Sequence, residues 1–236
     1  MASSSFPRTF FDGDVETVAK TLIGTFMFTV DQFGNRTGGK IIETEAYDQN
    51  DPAAHCYCPD GRRPLKFGAA EAMFLGGGHA YIYRARASWC LNFVTGKKGF
   101  GSAVLIRALM PTNDGVKLMR ERHKKNHGSA WTKDDQKYIY SLCKRPGNLC
   151  VSLGVDGTFN KKLLYELPFE FRLGDATSQI LCGPRVNVKT MIEKNWPNLD
   201  VSVRDEAIQR EWRFAASDAP DYLLKSSYPL RPLGKP

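Results

Sequence analysis

Residues 39–47 read Gly-Lys-Ile-Ile-Glu-Thr-Glu-Ala-Tyr, and this stretch decides how the rest of the chain is interpreted. Its β-branched and aromatic residues predict a strand, because such side chains fit a pleated sheet. Strand alternation places four of its side chains on one face: Ile41, Glu43, Glu45 and Tyr47. Two carboxylates on an apolar strand are either charges that protect an exposed edge or a general base at the mouth of a pocket. The pattern of this stretch taken alone favours the exposed edge.

The segments before this strand predict a helix and a partner strand. Apolar residues recur at helical spacing over 15–22, and Asp14 is a suitable N-cap. Residues 25–30 form another β-rich run, and turn residues at 31–35 separate it from the strand at 39–47. We therefore expect these two strands to pair.

Further elements are predicted downstream. Residues 113–126 show helical spacing, with His123 facing inward and a basic outer face. Three β-rich runs predict strands that we expect at the centre of the sheet, and they lie at 81–83, 89–95 and 102–109. Weaker patterns indicate short helices at 138–142 and 147–154, and strands at 163–173 and 201–203.

The predicted fold class is α+β, a single domain over residues 1–236 with a central curved, mainly antiparallel β-sheet and flanking helices. No internal repeat and no linker-like segment divides the sequence. Its 236 residues and 42% hydrophobic content are sufficient for one well-packed core.

The formal net charge of +8 bears on the partner of the protein. Such charge is typical of proteins that bind nucleic acid, although a basic surface also serves solubility alone. No apolar run approaches the ~20 residues needed to cross a bilayer, and the first residues lack the apolar core of a secretory signal. The six cysteines are unevenly spaced, which favours a reducing compartment. We expect an intracellular protein without a membrane partner, nuclear in a eukaryote and cytoplasmic in a bacterium.

A long polar segment at 48–68 carries His55 and possible metal ligands. Segments of this length are usually functional or mobile. His55, Cys56 and Cys58 lie close together in it, but zinc sites normally need a second pair of ligands, and the other cysteines lack that spacing. The motifs of the zinc base deaminases are also missing from the sequence. We therefore expect neither a metal nor another cofactor.

Several short motifs follow the first stretch in a particular order. Each is weak alone, but the shared order over about residues 10–222 is specific. They are Glu43 to Tyr47, Ala53-Ala54-His55, Met73-Phe74, the glycines at 76–78, residues 81–83, Cys90-Leu91-Asn92, residues 104–109 and 146–149, Pro184-Arg185-Val186 and Trp212-Arg213-Phe214. In this order they resemble the alkyladenine, or 3-methyladenine, DNA glycosylase family. The resemblance implies a DNA repair enzyme that flips a damaged purine out of DNA and hydrolyses its N-glycosidic bond.

The resemblance also implies two catalytic residues. Glu45 would be the general base and would deprotonate a water placed on the far side of the sugar C1′ atom. Arg107 would help to hold that water and keep Glu45 ionised. Without the resemblance, Arg107 is better explained as a structural ion-pair partner.

Four further residues are implied to bind the substrate. Tyr47, His55 and Tyr83 would sandwich the flipped purine, because aromatic faces attract an electron-poor alkylated ring. Asn92 would lie beneath the purine and exclude guanine through its exocyclic amine. Without the resemblance, Tyr83 is better explained as a core aromatic residue, and Asn92 as a residue that satisfies backbone groups.

The chain departs from the family pattern after Tyr83. The family usually has a tyrosine-glycine pair there, and its tyrosine fills the space left by the flipped nucleotide, whereas this chain has the shorter run Arg84-Ala85-Arg86-Ala87-Ser88. We expect Arg86, or failing that Arg84, to take this place, since a guanidinium stacks on bases. Asn148 stands where the family generally has a lysine that contacts phosphate. Residues 189–210 resemble an insertion.

The expected partner is double- or single-stranded DNA that contains damaged purines of the 3-methyladenine, 7-methylguanine, hypoxanthine and ethenoadenine class. We expect the protein to be a monomer. We also expect a monofunctional enzyme, because no lysine matches a catalytic position for strand cleavage. The alternative is a catalytically weak DNA-binding protein of the same fold.

Overall fold

The strand predicted at 39–47 organises the sheet, and in this computed structural model it runs longer, over Arg36–Asp48 (β2). Along one edge it pairs with Ser102–Pro111 (β5). Along the other edge it pairs first with Phe26–Val30 (β1) and then with Arg213–Ala216 (β8). All three pairings are antiparallel, so β2 joins parts of the sheet that are far apart in sequence.

The structure describes residues 7–57, 59, 68–127, 136–174, 179–220 and 229–234. The other described strands are Ala80–Ala85 (β3), Ser88–Val94 (β4), Phe169–Arg172 (β6), Ile180–Gly183 (β7) and Arg231–Pro232 (β9). The described α-helices are Val15–Leu22 (α1), Val116–His127 (α2), Gln136–Ser141 (α3), Pro146–Leu153 (α4), Val188–Asn195 (α5) and Val201–Gln209 (α6). Short 3₁₀ turns occupy Arg8–Asp12, Gly68–Phe74, Asn113–Gly115 and Gly157–Phe159.

The strands form one antiparallel sheet with helices around it, which confirms the predicted α+β class. Their order is β3-β4-β5-β2-β8-β7-β9, and β1 pairs with both β2 and β6. The predicted pairing of the first two strands is confirmed, with Phe26 opposite Lys40. The predicted first helix is confirmed too, because the Asp14 carboxylate accepts a hydrogen bond from the Thr17 N–H at 2.9 Å. Among the described residues, every helix is too short or too polar to span a bilayer.

Two predictions about strands were wrong. Residues 81–83 lie in β3, at the end of the strand order rather than at its centre. The sequence of β3 is as apolar as that of a central strand, because the segment 160–164 covers the outer edge of β3. The Asn160 side chain accepts a hydrogen bond from the Ile82 N–H, and the Lys161 N–H donates to the Ala80 carbonyl. Residues 201–203 begin α6 instead of forming a strand, since the Asp200 carboxylate caps the helix and outweighs the local preference of two valines.

The predicted strand at 163–173 is confirmed only for the four residues of β6. The inward-facing His123 of α2 is confirmed, because its ring is fully buried and its Nε2 atom lies 3.0 Å from the Leu142 carbonyl oxygen and 2.9 Å from the Ser152 hydroxyl oxygen. α1 packs directly on β2, where the Thr44 hydroxyl donates to the Ala19 carbonyl at 2.9 Å. The central strand is therefore held from above by a helix and from both sides by strands.

Two glycines allow this close packing at the start of β2. A Cβ atom on Gly38 would overlap the Met27 carbonyl oxygen of β1, and one on Gly39 would overlap the Met110 carbonyl oxygen of β5. Backbone cannot yield as a flexible side chain can, so only glycine fits without displacing a neighbouring strand.

We predict that Gly39→Ala destabilises the protein by at least roughly 1–3 kcal/mol, the range seen for overpacking a well-packed interior. The measurement is the free energy of unfolding in urea. Gly234→Ala is the matched control, because nothing lies within 4 Å of a Cβ atom placed there. Equal stability of the two variants would contradict the close approach of β5.

Candidate active site

Irregular pairing between β2 and β5 shapes the centre of the site. Ile41 lies opposite Leu109 and Glu43 opposite Ala108, so Ile42 has no partner; the next pair, Thr44 with Ile106, skips Arg107. Such bulges turn side chains away from simple alternation. The prediction that Ile41 shares a face with the two glutamates and Tyr47 was therefore wrong, since it packs in the main core with Ile42.

Glu45 is fully buried and accepts three hydrogen bonds. Its Oε1 atom accepts from the Val186 N–H at 2.7 Å, and its Oε2 atom accepts from the Tyr47 hydroxyl at 2.8 Å and from Arg107 Nη1 at 3.3 Å. These donors replace the hydrogen bonds that water would otherwise give to the carboxylate. The exposed-edge explanation of the Glu43 to Tyr47 motif is excluded, because both glutamates lie inside the protein.

Arg107 lies between the two glutamates. Its Nε atom donates to Glu43 Oε1 at 3.0 Å, and the same oxygen accepts from Arg213 Nε at 2.6 Å. Burial acts against the charge of Arg107, but Glu45 and Glu43 outweigh it and raise the pKa of Arg107 above its usual value. The guanidinium therefore stays charged beside Glu45.

Tyr47 is fixed by a charged group on its ring face. The carbon of the Arg185 guanidinium lies 4.7 Å from the centre of that ring. The Nη1 and Nη2 atoms of this group donate to the Ala46 and Ala207 carbonyls, and the group forms an ion pair with Asp51. Arg185 and Asp51 are both fully buried. Burial, and then the charge of Glu45, raise the pKa of Tyr47 well above its usual value, so its hydroxyl remains a donor to Glu45.

His55, Tyr81 and Tyr83 form an aromatic group next to Tyr47. His55 Nδ1 lies 2.6 Å from the Tyr81 hydroxyl oxygen, and its ring contacts that of Tyr83 edge to face at 4.5 Å. Desolvation by the surrounding protein lowers the pKa of His55, which favours the neutral imidazole near pH 7. Burial likewise raises the pKa of Tyr81 and Tyr83. These rings are therefore uncharged, and Tyr47 and Tyr83 pack on the same cluster of buried side chains.

Asn92 is buried below this group. Its amide nitrogen donates to the Tyr81 carbonyl at 3.0 Å and lies 3.4 Å from the Cys90 carbonyl oxygen. The side chain thus satisfies backbone acceptors, as the interpretation without the resemblance anticipates, and it is held rigidly in place.

The residues predicted to bind DNA meet at the β3–β4 hairpin. Arg86 stands in the two-residue turn of that hairpin with a φ of 56°, a left-handed conformation that is unfavourable for a side chain with a Cβ atom. Arg84 lies further down, with its guanidinium carbon 5.7 Å from the centre of the Trp89 ring. α4, which carries Asn148, abuts the same hairpin, because a Cβ atom on Gly147 would meet the Ser88 side chain at 2.8 Å.

The sequence did not reveal all members of the site. Arg185 and Arg213 lie within two of the quoted motifs, so the motifs contained a signal, but no local pattern shows which carboxylates they pair with. Asp51 lies in the polar segment without any distinguishing pattern. Within the described ranges, no group of three or more His, Cys, Asp or Glu residues could hold a metal ion, and Cys58 lies outside them.

A cleft of about 460 Å³ opens near the end of β2, and Asp48 and Trp212 line it. Its lining includes four carboxylates, those of Asp12, Asp14, Glu16 and Asp48. Negative charge repels phosphate groups. The aromatic group around His55, rather than this cleft, is therefore the candidate site for a nucleotide.

Comparison with known proteins identifies the family. A family model described as methylpurine-DNA glycosylase matches residues 9–220. A relative from Rhodopseudomonas palustris (strain BisB18) is 38% identical over 190 residues, which cover 80% of this chain and 84% of the relative. One from Agrobacterium fabrum (strain C58 / ATCC 33970) is 34% identical over 195 residues, which cover 82% of this chain and 88% of the relative. The names of both assign them, provisionally, to the 3-methyladenine DNA glycosylases.

The chain therefore belongs to the methylpurine-DNA glycosylase family, as the order of its motifs predicted. This places it in the class of DNA glycosylases, hydrolases of DNA repair whose substrate is DNA.

We predict that Asp51→Asn destabilises the fold strongly, by about 3–5 kcal/mol, because it leaves the buried guanidinium of Arg185 without its charged partner. The free energy of unfolding in urea measures this. Asp218→Asn is the matched control, since Asp218 pairs with Lys40 while about half exposed, and such pairs contribute at most about 1 kcal/mol. A small effect at both positions would contradict the structural role of the Asp51–Arg185 pair.

Proposed function

We propose that this protein excises alkylated or deaminated purines, of the 3-methyladenine, 7-methylguanine, hypoxanthine and ethenoadenine class, after flipping the damaged nucleotide out of DNA. The observation that carries the proposal is the geometry of Glu45, a buried carboxylate with three donors beside a group of aromatic rings. The family supports the reaction class, and the geometry supports the division of roles.

Glu45 acts as the general base in this proposal. A carboxylate offers about four acceptor positions, and three donors occupy three of those on Glu45. The remaining position on Oε1 can accept a hydrogen bond from water and then its proton, while the water oxygen attacks the sugar C1′ atom. The N-glycosidic bond breaks as the new C–O bond forms, and its electron pair leaves with the purine. Arg107 acts as the second catalytic residue, because its permanent charge opposes protonation of Glu45 before the water is bound.

Tyr47 forms one wall of the base pocket and the pair His55 and Tyr83 forms the other. The uncharged state of His55 matters, because an alkylated purine carries positive charge and an imidazolium would repel it. Asn92 excludes guanine by position: its hydrogen bonds to backbone carbonyls hold it where it cannot yield to the exocyclic amine.

The reaction stops at base release and does not cleave the strand. Strand cleavage by glycosylases requires an amine that forms a Schiff base with the sugar. Within the described part of the chain, the cations that contact Glu43, Glu45 and Asp51 are arginines, and a guanidinium is not a nucleophile at neutral pH. We propose that the chain forms one domain, since its described strands form a single sheet, and that it acts as a monomer within the cell.

We predict that Glu45→Gln lowers single-turnover base release roughly 10²- to 10⁴-fold, because glutamine keeps the shape of the side chain but cannot take up the proton. The measurement is base release from duplexes that each carry one lesion of the proposed class. Affinity for the same duplexes should change little.

Glu170→Gln is the control, because Glu170 lies on β6 in an exposed ion pair with Arg36. Normal excision by Glu45→Gln would overturn the mechanism. If the unaltered protein binds every lesion duplex and releases no base, the alternative of a catalytically weak DNA-binding protein is correct.

Arg86 is the residue that we propose to fill the space left by the flipped nucleotide. Its place in the turn of an exposed hairpin supports this role, and Arg84 is less suitable because it lies against Trp89. A non-glycine residue kept in a left-handed conformation costs about 1 kcal/mol, and such a cost is often retained for function. Asn148 would add a neutral phosphate contact from the adjacent α4.

We predict that Arg86→Gly raises the temperature of unfolding while it lowers excision from duplex DNA. Glycine removes both the backbone strain and the guanidinium that stacks on bases. Excision from single strands should fall less, because no base pair has to be opened there. Arg86→Tyr should restore part of the duplex activity.

Arg172→Ala controls for loss of one positive charge, since Arg172 lies on β6 and stacks on Phe26. Equal losses on duplex and single-stranded DNA would make Arg86 an ordinary phosphate contact. Unchanged activity on both would place the intercalating group elsewhere.

A further inference from the structure

Arg213 is a buried arginine to which the proposed chemistry assigns no task. Its side chain is 1% exposed, and its Nε atom donates to Glu43 Oε1 at 2.6 Å. Removing a guanidinium from water costs several kcal/mol unless a partner compensates for it. An apolar residue at this position of β8 would have no such desolvation cost. The charge of Arg213 therefore needs a reason beyond filling space.

The explanation lies in how Glu43 is shared. Its Oε1 atom accepts from Arg213 at 2.6 Å and from Arg107 Nε at 3.0 Å, while Arg107 Nη1 reaches Glu45 at 3.3 Å. The four side chains form a row of alternating charge in which two guanidiniums balance two carboxylates. Arg107 is the member that both carboxylates contact.

The other groups that face Glu45 do not alter this balance. Tyr47 and the Val186 N–H are neutral donors. The thiol of Cys90 approaches from β4, and burial raises its pKa, so it stays neutral. Arg185 approaches from the segment after β7, and Asp51 compensates for its charge.

We propose that Arg213 is a positioning residue that compensates for the charge of Glu43 and so leaves Arg107 available to Glu45. This inference rests on the proposed role of Glu45 as the base. Without Arg213, Glu43 draws Arg107 towards itself, because it already lies nearer to that guanidinium than Glu45 does. Glu45 then keeps only neutral donors next to an excess negative charge, and both changes favour its protonated, inactive form.

The test is the pH dependence of single-turnover base release. For Arg213→Gln we expect the acidic limb of the profile to move to higher pH by about one unit or more, the effect of removing one compensating charge at short range. The rate at alkaline pH should approach that of the unaltered protein. Arg213→Lys keeps the charge, and its acidic limb should stay close to the original.

Two variants of Glu43 separate charge from structure. The double variant Glu43→Gln with Arg213→Gln removes one charge of each sign, and we expect it to return the acidic limb towards its original position. In Glu43→Gln alone, Arg107 has Glu45 as its one charged partner in this row, and we expect the acidic limb of this variant to move to lower pH. This single variant tests the proposal even if Arg213→Gln does not fold.

Three outcomes overturn the inference: an unchanged limb in Arg213→Gln, an unchanged limb in Glu43→Gln, or a double variant no better than Arg213→Gln. A uniform loss of rate at every pH would mean that Arg213 serves the fold alone. Failure of the proposed role of Glu45 gives a different set of results. If Glu45 is not the base, Glu45→Gln releases base at the normal rate. The pH profiles of the Arg213 and Glu43 variants then contain no acidic limb that depends on Glu45.

Discussion

Compensation of buried charge is the constraint on which the site depends. Glu43, Glu45 and Asp51 are withdrawn from water, and a buried carboxylate is tolerated only when cations and hydrogen bonds replace its hydration. Three guanidinium groups lie closest to them, those of Arg107, Arg185 and Arg213, while a fourth, that of Arg210, is partly exposed and lies 3.9 Å from Asp51. The three carboxylates and the three nearest guanidiniums have a summed charge of zero, so this group can be buried without a net charge in the interior.

The order of the strands satisfies this constraint. β5 brings Arg107 to one side of β2, β8 brings Arg213 to the other, and the segment after β7 brings Arg185 over Tyr47. Regular pairing along β2 would direct alternate side chains to opposite faces of the sheet. The bulges on both sides of Glu43 break that alternation and let Arg107 reach two glutamates.

Sequence patterns predicted the parts of the fold that depend on local chemistry. The helix after Asp14 and the pairing of β1 with β2 follow from a cap, a turn and runs of β-branched residues, all of which act over a few residues. The position of β3 in the sheet could not be predicted, because its outer edge is covered by residues around 160–164 that lie far away in sequence. The aspartate cap of α6 was readable in the sequence, but the two valines that follow it obscured the signal.

The members of the site divide in the same way. Glu45, Tyr47 and His55 stand in recognisable motifs, and the structure brings them together with Arg107 and Tyr83. The pairing of Arg185 with Asp51, and of Arg213 with Glu43, depends on which strands and loops meet, and no spacing along the chain encodes that. The predicted orientation of Ile41 was wrong for a related reason. A bulge depends on how two strands pair, and the sequence of one strand does not show it.

The segment 189–210, which resembles an insertion, gains a role from these contacts. Its helices pack their buried residues against Ala53 of the loop that carries His55, and Trp196 contacts Tyr57 of that loop edge to face at 5.0 Å. The Ala207 carbonyl accepts from Arg185, the group that lies on the ring of Tyr47. Tyr47 and the loop that carries His55 therefore both pack against this segment. A change in this segment would therefore act on how rigidly Tyr47 and the loop that carries His55 are held, even at positions that contact neither of them.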